Sequence, residues 1–464
     1  VVGITSSVHL LHAYAEEHGA GAEAGAAAWR ATRRLRWPIG LSLLTTSAAF
    51  LTLGTTGVPA FRSGGLIVGL GVLAAIPVVL LGLPAALAWV RPRPRGTVAG
   101  RLDRPLLRVA AMVVARRWPV FLGGLLITAA GSALAARARV KVDVLQAFKP
   151  ESRVARTYRF LDERLTATLY VDLILKASPQ ARIAEVLADL DAFSDKALAL
   201  PGIDNALSLS SLVRYGASIL GMGPEVLSGG AGLEAILLVL RGPFASVTGR
   251  FEDAPERRYR MKLRVREGTD PSVLDALRAA ASELRTGEGT LTGLYVRAAG
   301  TARHVVRNLA ASSALMTAIV VVTAALALRS WRAGWAALLP NLLPPAAVFG
   351  FESVRGAALD VSAIAVASVA IGMTIDNTLH ALFRLRAERA AGRSLRGAIL
   401  RTQRSVGRAM VMSTAVLVAG LAFLSGSAFL PTAHFGVYTA AACVVGLLGD
   451  LLLLPAAVAA FRCL

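Results

Sequence analysis

"IGMTIDNTLHALFRLRAER" occupies residues 371–389, and its reading decides the fold. The approach to it, "DVSAIAVASVAIGMTI", carries no charge between Asp360 and Asp376, and beyond His380 the segment turns arginine-rich. An ionised Asp at the centre of a bilayer costs at least about 2.5–3.5 kcal/mol, so it persists only where it faces protein or water. His380 lies one turn after Asp376 and Gly372 one turn before it, on the same helical face. A glycine there lets a neighbouring helix approach closely. Thr374 and Asn377 add hydrogen-bonding groups nearby. A carboxyl able to take up and release a proton at such a place is what proton coupling requires, so Asp376 is the candidate proton relay. A polar clamp between helices is the alternative.

The rest of the chain supplies the setting. Its 464 residues are 55% hydrophobic with a mean hydropathy of +0.59, and apolar runs of roughly 20 residues read as membrane spans. A net charge of +21 in a soluble protein suggests nucleic acid as a partner, but its distribution argues against that here. Region 137–305 holds all five lysines and is nearly balanced, with 24 basic and 20 acidic residues. Elsewhere 26 basic residues face nine acids, and the arginines gather in short loops between apolar runs. That is the pattern of the positive-inside rule. Cys443 and Cys463 match no disulfide or metal-ligand spacing, and the histidines form no HExxH-type cluster. The opening "VVGITSSVHLL" has no initiator Met and no signal peptide. It reads as the end of a severed helix, and the expectation is an N-terminally truncated fragment.

Eight complete spans are expected, at about 37–57, 65–90, 118–136, 307–328, 333–351, 359–383, 408–426 and 433–461, after a partial one at 1–14. The arginine-rich segments 30–36, 91–117, 329–332 and 384–408 then fall on one side, which is cytoplasmic by charge. Segment 384–408, with Leu385, Leu395 and Ile399, reads as an interfacial amphipathic helix in contact with anionic lipid. Pro340, Pro344 and Pro345 are expected to bend the span at 333–351. Asp360 and Glu352 are placed at the outer membrane boundary, where solvation is cheap. Asp450, in the last span, is assigned a structural role.

The charge-balanced region falls on the opposite, extracytoplasmic side and reads as mixed α/β. "TLYVDLILKA" (168–177) is a strand candidate followed by a helix with Ile183, Val186, Leu187, Leu190 and Phe193 inward. "YRMKLRVRE" alternates with period two, and a helix carrying Val273, Leu274, Leu277 and Leu284 leads to the strand-like "GTLTGLYVRA". Two such βαβ halves suggest a ferredoxin-like arrangement. Between them, 211–245 reads as an apolar helical hairpin.

A shift of 371 residues aligns 1–90 with 372–461 without a gap. His9 then meets His380, Glu17 meets Glu388, Gly21 meets Gly392, Arg30 meets Arg401, Ser42 meets Ser413 and Gly65 meets Gly436. Pro84-Ala85-Ala86 meets Pro455-Ala456-Ala457. Matched Gly, Pro, His and Arg at one offset imply two membrane halves of a parallel repeat, a plan in which the working site lies between the halves. Asp376 maps onto Thr5, Asn377 onto Ser6 and His380 onto His9, which makes Thr5–His9 the candidate facing segment. Gly3 joins Gly372 as the candidate packing glycine.

With these motifs the chain resembles the RND superfamily of proton-driven exporters, in its MMPL-like and predicted-exporter branches. The resemblance rests on "LRSWRAGWAALLPNLLPPAAVFGF", on "IGMTIDNTLHALFRLRAERAAG", on the counterpart "VVGITSSVHLLHAYAEEHGAG", and on "GDLLLLPAAV" and "LTGLYV". It implies a polytopic helical membrane protein of parallel repeated halves with an extracytoplasmic porter domain of ferredoxin-like βαβ halves. In family terms, 1–90 holds the end of helix 4 and helices 5–6, 91–117 a cytoplasmic basic linker and 118–136 helix 7. The porter domain is then 137–305, and 306–464 holds helices 8–12. On that expectation, helices 1–3 and the first porter domain would be absent.

The resemblance further implies a bacterial inner-membrane exporter of a hydrophobic or lipid-like substrate, driven by the proton gradient and using no other cofactor. Its expected partners are membrane lipids, a second copy of itself or a periplasmic accessory protein, with no nucleic acid and no metal. Many relatives carry an Asp in both halves, whereas this sequence keeps only Asp376. A non-transporting sterol- or lipid-sensing member of the same superfold is the alternative. An intramembrane hydrolase finds no GxSxG-type elbow and no facing pair of acids, so no enzymatic activity is expected.

Overall fold

The computed structural model describes all residues except 1, 56–58, 91–101, 138–146, 165–167, 267–268, 271, 357–360 and 463–464. Asp360, Cys463 and the first part of the basic linker lie outside the described residues. The chain forms two compact units, Val1–Lys141 with His304–Leu464, and Val142–Arg303.

In chain order the helices begin with α1 (Val2–Gly19), α2 (Ala24–Thr52), α3 (Pro59–Pro77), α4 (Leu83–Val90), α5 (Asp103–Ala115) and α6 (Arg117–Ala135). The second unit holds α7 (Arg153–Arg164), α8 (Ile183–Leu198), α9 (Leu209–Ile219), α10 (Ala231–Arg241), α11 (Ala245–Thr248) and α12 (Val273–Ser282). The chain ends with α13 (Leu294–Leu328), α14 (Trp331–Val354), α15 (Val361–Ala390), α16 (Leu395–Ala422), α17 (Leu430–Leu448) and α18 (Leu454–Phe461).

Seven helical segments among the described residues are long and apolar enough to cross a membrane. The eighth expected span, 37–57, falls in α2, which is not among them. Ser42, Thr45, Thr46, Ser47 and Thr52 dilute its hydropathy, and all five are buried. At about 1.5 Å per residue the 29 residues of α2 are still long enough to span a bilayer. Its polar stripe is spent on helix contacts. Thr46 Oγ1 donates to the Gly372 carbonyl at 2.8 Å, and Ser47 Oγ donates to the Gly69 carbonyl at 2.8 Å.

The segment 384–408 is not a separate interfacial helix. α15 runs on to Ala390, the chain turns at Gly392 with φ +80°, and Ser394 caps α16 by accepting from the Gly397 amide. No breaker precedes Gly392, and Glu388 anchors the turn by pairing with Arg384 at 2.8 Å and Arg393 at 2.6 Å. Leu385 and Ile399 are buried in the helix bundle instead of facing lipid. α5 is the amphipathic element of this region, burying Leu106, Ala110 and Val113 and packing on α16. Glu352 also departs from expectation: it is buried and pairs with Arg355 at 3.2 Å.

All six tryptophans (Trp29, Trp37, Trp89, Trp118, Trp331 and Trp335) are exposed and sit beside the arginine-rich segments. Trp118, at the start of α6, meets Phe461, at the end of α18, edge to face. Amphipathic rings gathered at one end of apolar helices are the signature of a membrane–water interface.

α3 and α4 are joined by a π-helical turn, Val78–Gly82, and α17 and α18 by another, Gly449–Leu453. Each precedes a proline, Pro84 or Pro455, whose missing N–H the wider turn accommodates. Adding 371 to the bounds of the first π-turn and of α4 gives those of the second π-turn and of α18. The starts of α2 and α3 fall in the same way on those of α16 and α17. A Cβ on Gly65 would strike the Phe50 carbonyl and Leu53, and one on Gly436 would strike the Leu421 carbonyl and Leu424, the same positions at the same offset.

The second unit folds around an antiparallel sheet of β1 (Leu169–Ala177), β2 (Ile203–Leu207), β3 (Glu252–Asp253), β4 (Arg258–Val265) and β5 (Gly287–Thr292). The strand order is β2-β4-β1-β5, with β3 on β4. Read as β1-α8-β2 and β4-α12-β5, this is the split βαβ topology. Val171, Leu173 and Leu175 face Met261 and Leu263 on the inner side and pack under Leu187, Leu190 and Leu277. Strand-like "GTLTGLYVRA" ends at Thr292, because Gly293 turns with φ +109° and "LYVRA" opens α13. β2 was not foreseen, being only five residues with two exposed.

Candidate functional site

Asp376 sits midway along α15 and is 5% exposed. Its Oδ1 accepts a hydrogen bond from Ser42 Oγ of α2 at 2.5 Å and lies 3.4 Å from His380 Nε2. The His380 contact is at ion-pair range, outside the alignment of a hydrogen bond. The His9 ring of α1 stacks on His380 with centroids 4.0 Å apart and planes 5° from parallel. Two features of α15 allow this closeness. A Cβ on Gly372 would fall onto that of Ala49, so only glycine admits α2 at this depth. The i, i+4 spacing then stands Asp376 and His380 one above the other.

The sequence-derived residues divide. Asp376, His380 and His9 meet in one cluster, and Asn377, next to Asp376 in the chain, bonds Thr414 Oγ1 at 3.4 Å. Thr5 and Ser6 are buried on α1, and the Ser6 hydroxyl finds no hydrogen-bond partner. Thr374 points elsewhere. Positions two residues apart on a helix differ by about 200°, so Thr374 and Thr378 project from the opposite face to Asp376. There Thr374 donates to Asn341 Oδ1 at 3.0 Å, Asn341 Nδ2 donates to Thr378 Oγ1 at 3.0 Å, and Thr378 donates to Asp450 Oδ1 at 2.5 Å. Gly3 is less demanding than Gly372, since a Cβ there meets Ala75 at an ordinary 3.5 Å.

Ser42 was missed as the direct partner of Asp376. Its signal was present: a serine inside an apolar run, matched at the repeat offset by Ser413, which lies within 3.5 Å of Asn377 Oδ1. His12 and Glu16 were missed too. Together with His9 they line a cavity of about 530 Å³ whose other walls include His380, Arg34 and Arg384. His12 Nε2 lies 3.6 Å from Glu16 Oε1, and Glu16 pairs with Arg34 at 2.9 Å. The cavity therefore connects the buried histidine pair to the arginine-rich end of the bundle. No cluster of three metal-binding side chains occurs among the described residues.

No family model matches the chain, and no curated protein matches it. Its fold does match a solved structure, that of SecDF, a translocon-associated membrane protein from Thermus thermophilus. The match has a TM-score of 0.58 at 15% sequence identity and covers 99% of this chain and 53% of that one. The chain thus spans about half the length of SecDF. At that identity the likeness is one of fold, and with the seven apolar helices it supports a multi-pass membrane protein with a SecDF-like fold.

Proposed function

We propose that the protein couples proton movement through the membrane unit to the export of a hydrophobic or lipid-like substrate, with Asp376 as the proton-carrying carboxyl. The observation that carries this reading is the buried Asp376–His380–His9 cluster at the inner end of a cavity that opens toward the arginine-rich end. Three histidines and two carboxylates form a graded path. A proton taken up at Glu16 passes to His12, then to the stacked His9 and His380, and reaches Asp376. Ser42 stabilises the carboxylate by donation and loses that role when the carboxyl is protonated. The charge change alters what holds α2 against α15, and this is the two-state element through which proton binding moves the membrane halves.

In this reading α1–α4 and α15–α18 belong to two parallel repeats, supported by the coincident π-turns, helix starts and glycine contacts at an offset of 371. The split βαβ unit serves as an extracytoplasmic porter domain by the charge pattern of the sequence, and the arginine-rich segments face the cytoplasm of a bacterial inner membrane. The MMPL-like branch rests on the sequence motifs alone. The lipid-like substrate rests on the family resemblance. The test uses the full-length protein in proteoliposomes energised by a pH gradient, with a fluorescent phospholipid as probe. Asp376→Asn should abolish both gradient dissipation and probe movement while leaving the fold intact. Undiminished gradient-dependent movement in that variant overturns the relay.

A further inference from the structure

Asp450 is 1% exposed and lies in the π-turn between α17 and α18. Its Oδ1 accepts from Thr378 at 2.5 Å, while its Oδ2 has no hydrogen-bond partner among the described residues. The turn packs against α5, α6, α14, α15, α17 and α18, and among the described residues none of them places a basic side chain in an ion pair with Asp450. Among the described residues the charged group that acts on it is Asp376, across α15, and its sign is the same. The surrounding groups cannot help. Asn341 spends its amide on the Ala337 carbonyl and Thr378, and Thr374 and Thr378 are already engaged as donors. An ionised carboxylate here would be buried without cation or second donor, the arrangement that costs most. A proton on the free oxygen removes that cost.

We propose that Asp450 is a second proton-holding carboxyl of the membrane unit, on the opposite face of α15 from Asp376. It belongs to one half only. At the offset of 371 its counterpart is Val79, and those of Thr374 and Thr378 are Gly3 and Ser7, so the first half has no equivalent network. Asp376 lies beside His380, which lines the cavity, whereas Asp450 contacts the neutral Thr378 and is enclosed. The two acids repel when both are ionised, so α15 links the charge state of one to the proton on the other.

Infrared spectroscopy of the purified protein in lipid nanodiscs at neutral pH tests this. The C=O stretch of a protonated carboxylic acid stands apart from carboxylate bands. Such a band, slow to exchange in D2O, should be present in the wild type, vanish in Asp450→Asn and persist in Asp376→Asn. Thr378→Val, which removes the hydrogen bond to Oδ1, should move the band to higher frequency without abolishing it. That shift alone decides the matter if Asp450→Asn fails to fold. A band that survives Asp450→Asn, or one lost in Asp376→Asn instead, overturns the proposal.

Discussion

His9 and His380 stack face to face with their centroids 4.0 Å apart, and they stand 371 residues apart, the offset at which 1–90 aligns with 372–461. Around them the helices exchange partners in the same symmetric way. α1 packs on α16, and α15 packs on α2. The stack marks where the two sets of helices meet, and Asp376 lies one turn from it on one side only.

Removing the ring next to the carboxyl tests its part in proton transfer. His380→Ala should slow proton flux into proteoliposomes about 10²-fold, the lower end of what a positioned acid–base group contributes. A pH-sensitive dye inside the vesicles reads the rate. Flux equal to wild type would remove the histidine from the path and leave Ser42 as the sole polar neighbour of functional weight.

Close approach of α2 and α15 is predicted to depend on the missing Cβ at Gly372. Gly372→Ala should cost about 1–3 kcal/mol by overpacking against Ala49. Adding Ala49→Gly should recover most of that loss, since the two Cβ atoms would stand only 2.1 Å apart. Thermal unfolding in detergent compares the three variants. Failure of the double variant to recover would place the strain elsewhere.

Equivalent glycines should respond alike. Gly65→Ala and Gly436→Ala each push a methyl into the carbonyl of the residue fifteen positions earlier, Phe50 or Leu421. Each is expected to destabilise by about 1–3 kcal/mol. A large loss at one position and none at the other would show that the two halves pack differently at this crossing.

In the second unit, Asp172 is 4% exposed and receives two bonds from Arg260, at 3.0 and 2.7 Å across β1 and β4. A double-mutant cycle of Asp172→Asn and Arg260→Met should give a coupling of about 0.5–3 kcal/mol. The partial exposure of Arg260 draws the value toward the lower part of that range. Chemical denaturation of the full chain, followed by hydrogen exchange in β1, reads it locally. A coupling of zero would mean that each side chain is served equally well by water.

Much of this was legible in residue order. Long apolar runs bounded by arginines locate the spans, because every backbone polar group in a bilayer must be satisfied inside a helix. Period-two alternation in "YRMKLRVRE" locates β4, and a fixed offset reveals the paired segments around His9 and His380. Less legible was anything decided by which way a polar side chain turns. Thr374 and Asn377 stand two residues and one residue from Asp376 in sequence, yet 100° per residue sends Thr374 to Asn341 and Asn377 to Thr414. The hairpin at Gly392 was hidden because its arginines mimic an interfacial helix until Glu388 is seen to hold two of them.

By itself, then, the sequence determined that Asp376 lies in a membrane-embedded helix with a histidine one turn away, since hydropathy and helical period are local properties. Only the tertiary structure decided that Ser42, 334 residues away, donates to it and that Asp450 is left with one oxygen unpaired. Hydrogen bonds between helices depend on crossing points that close at glycine contacts such as Gly372 with Ala49, and no local period encodes where two distant helices touch.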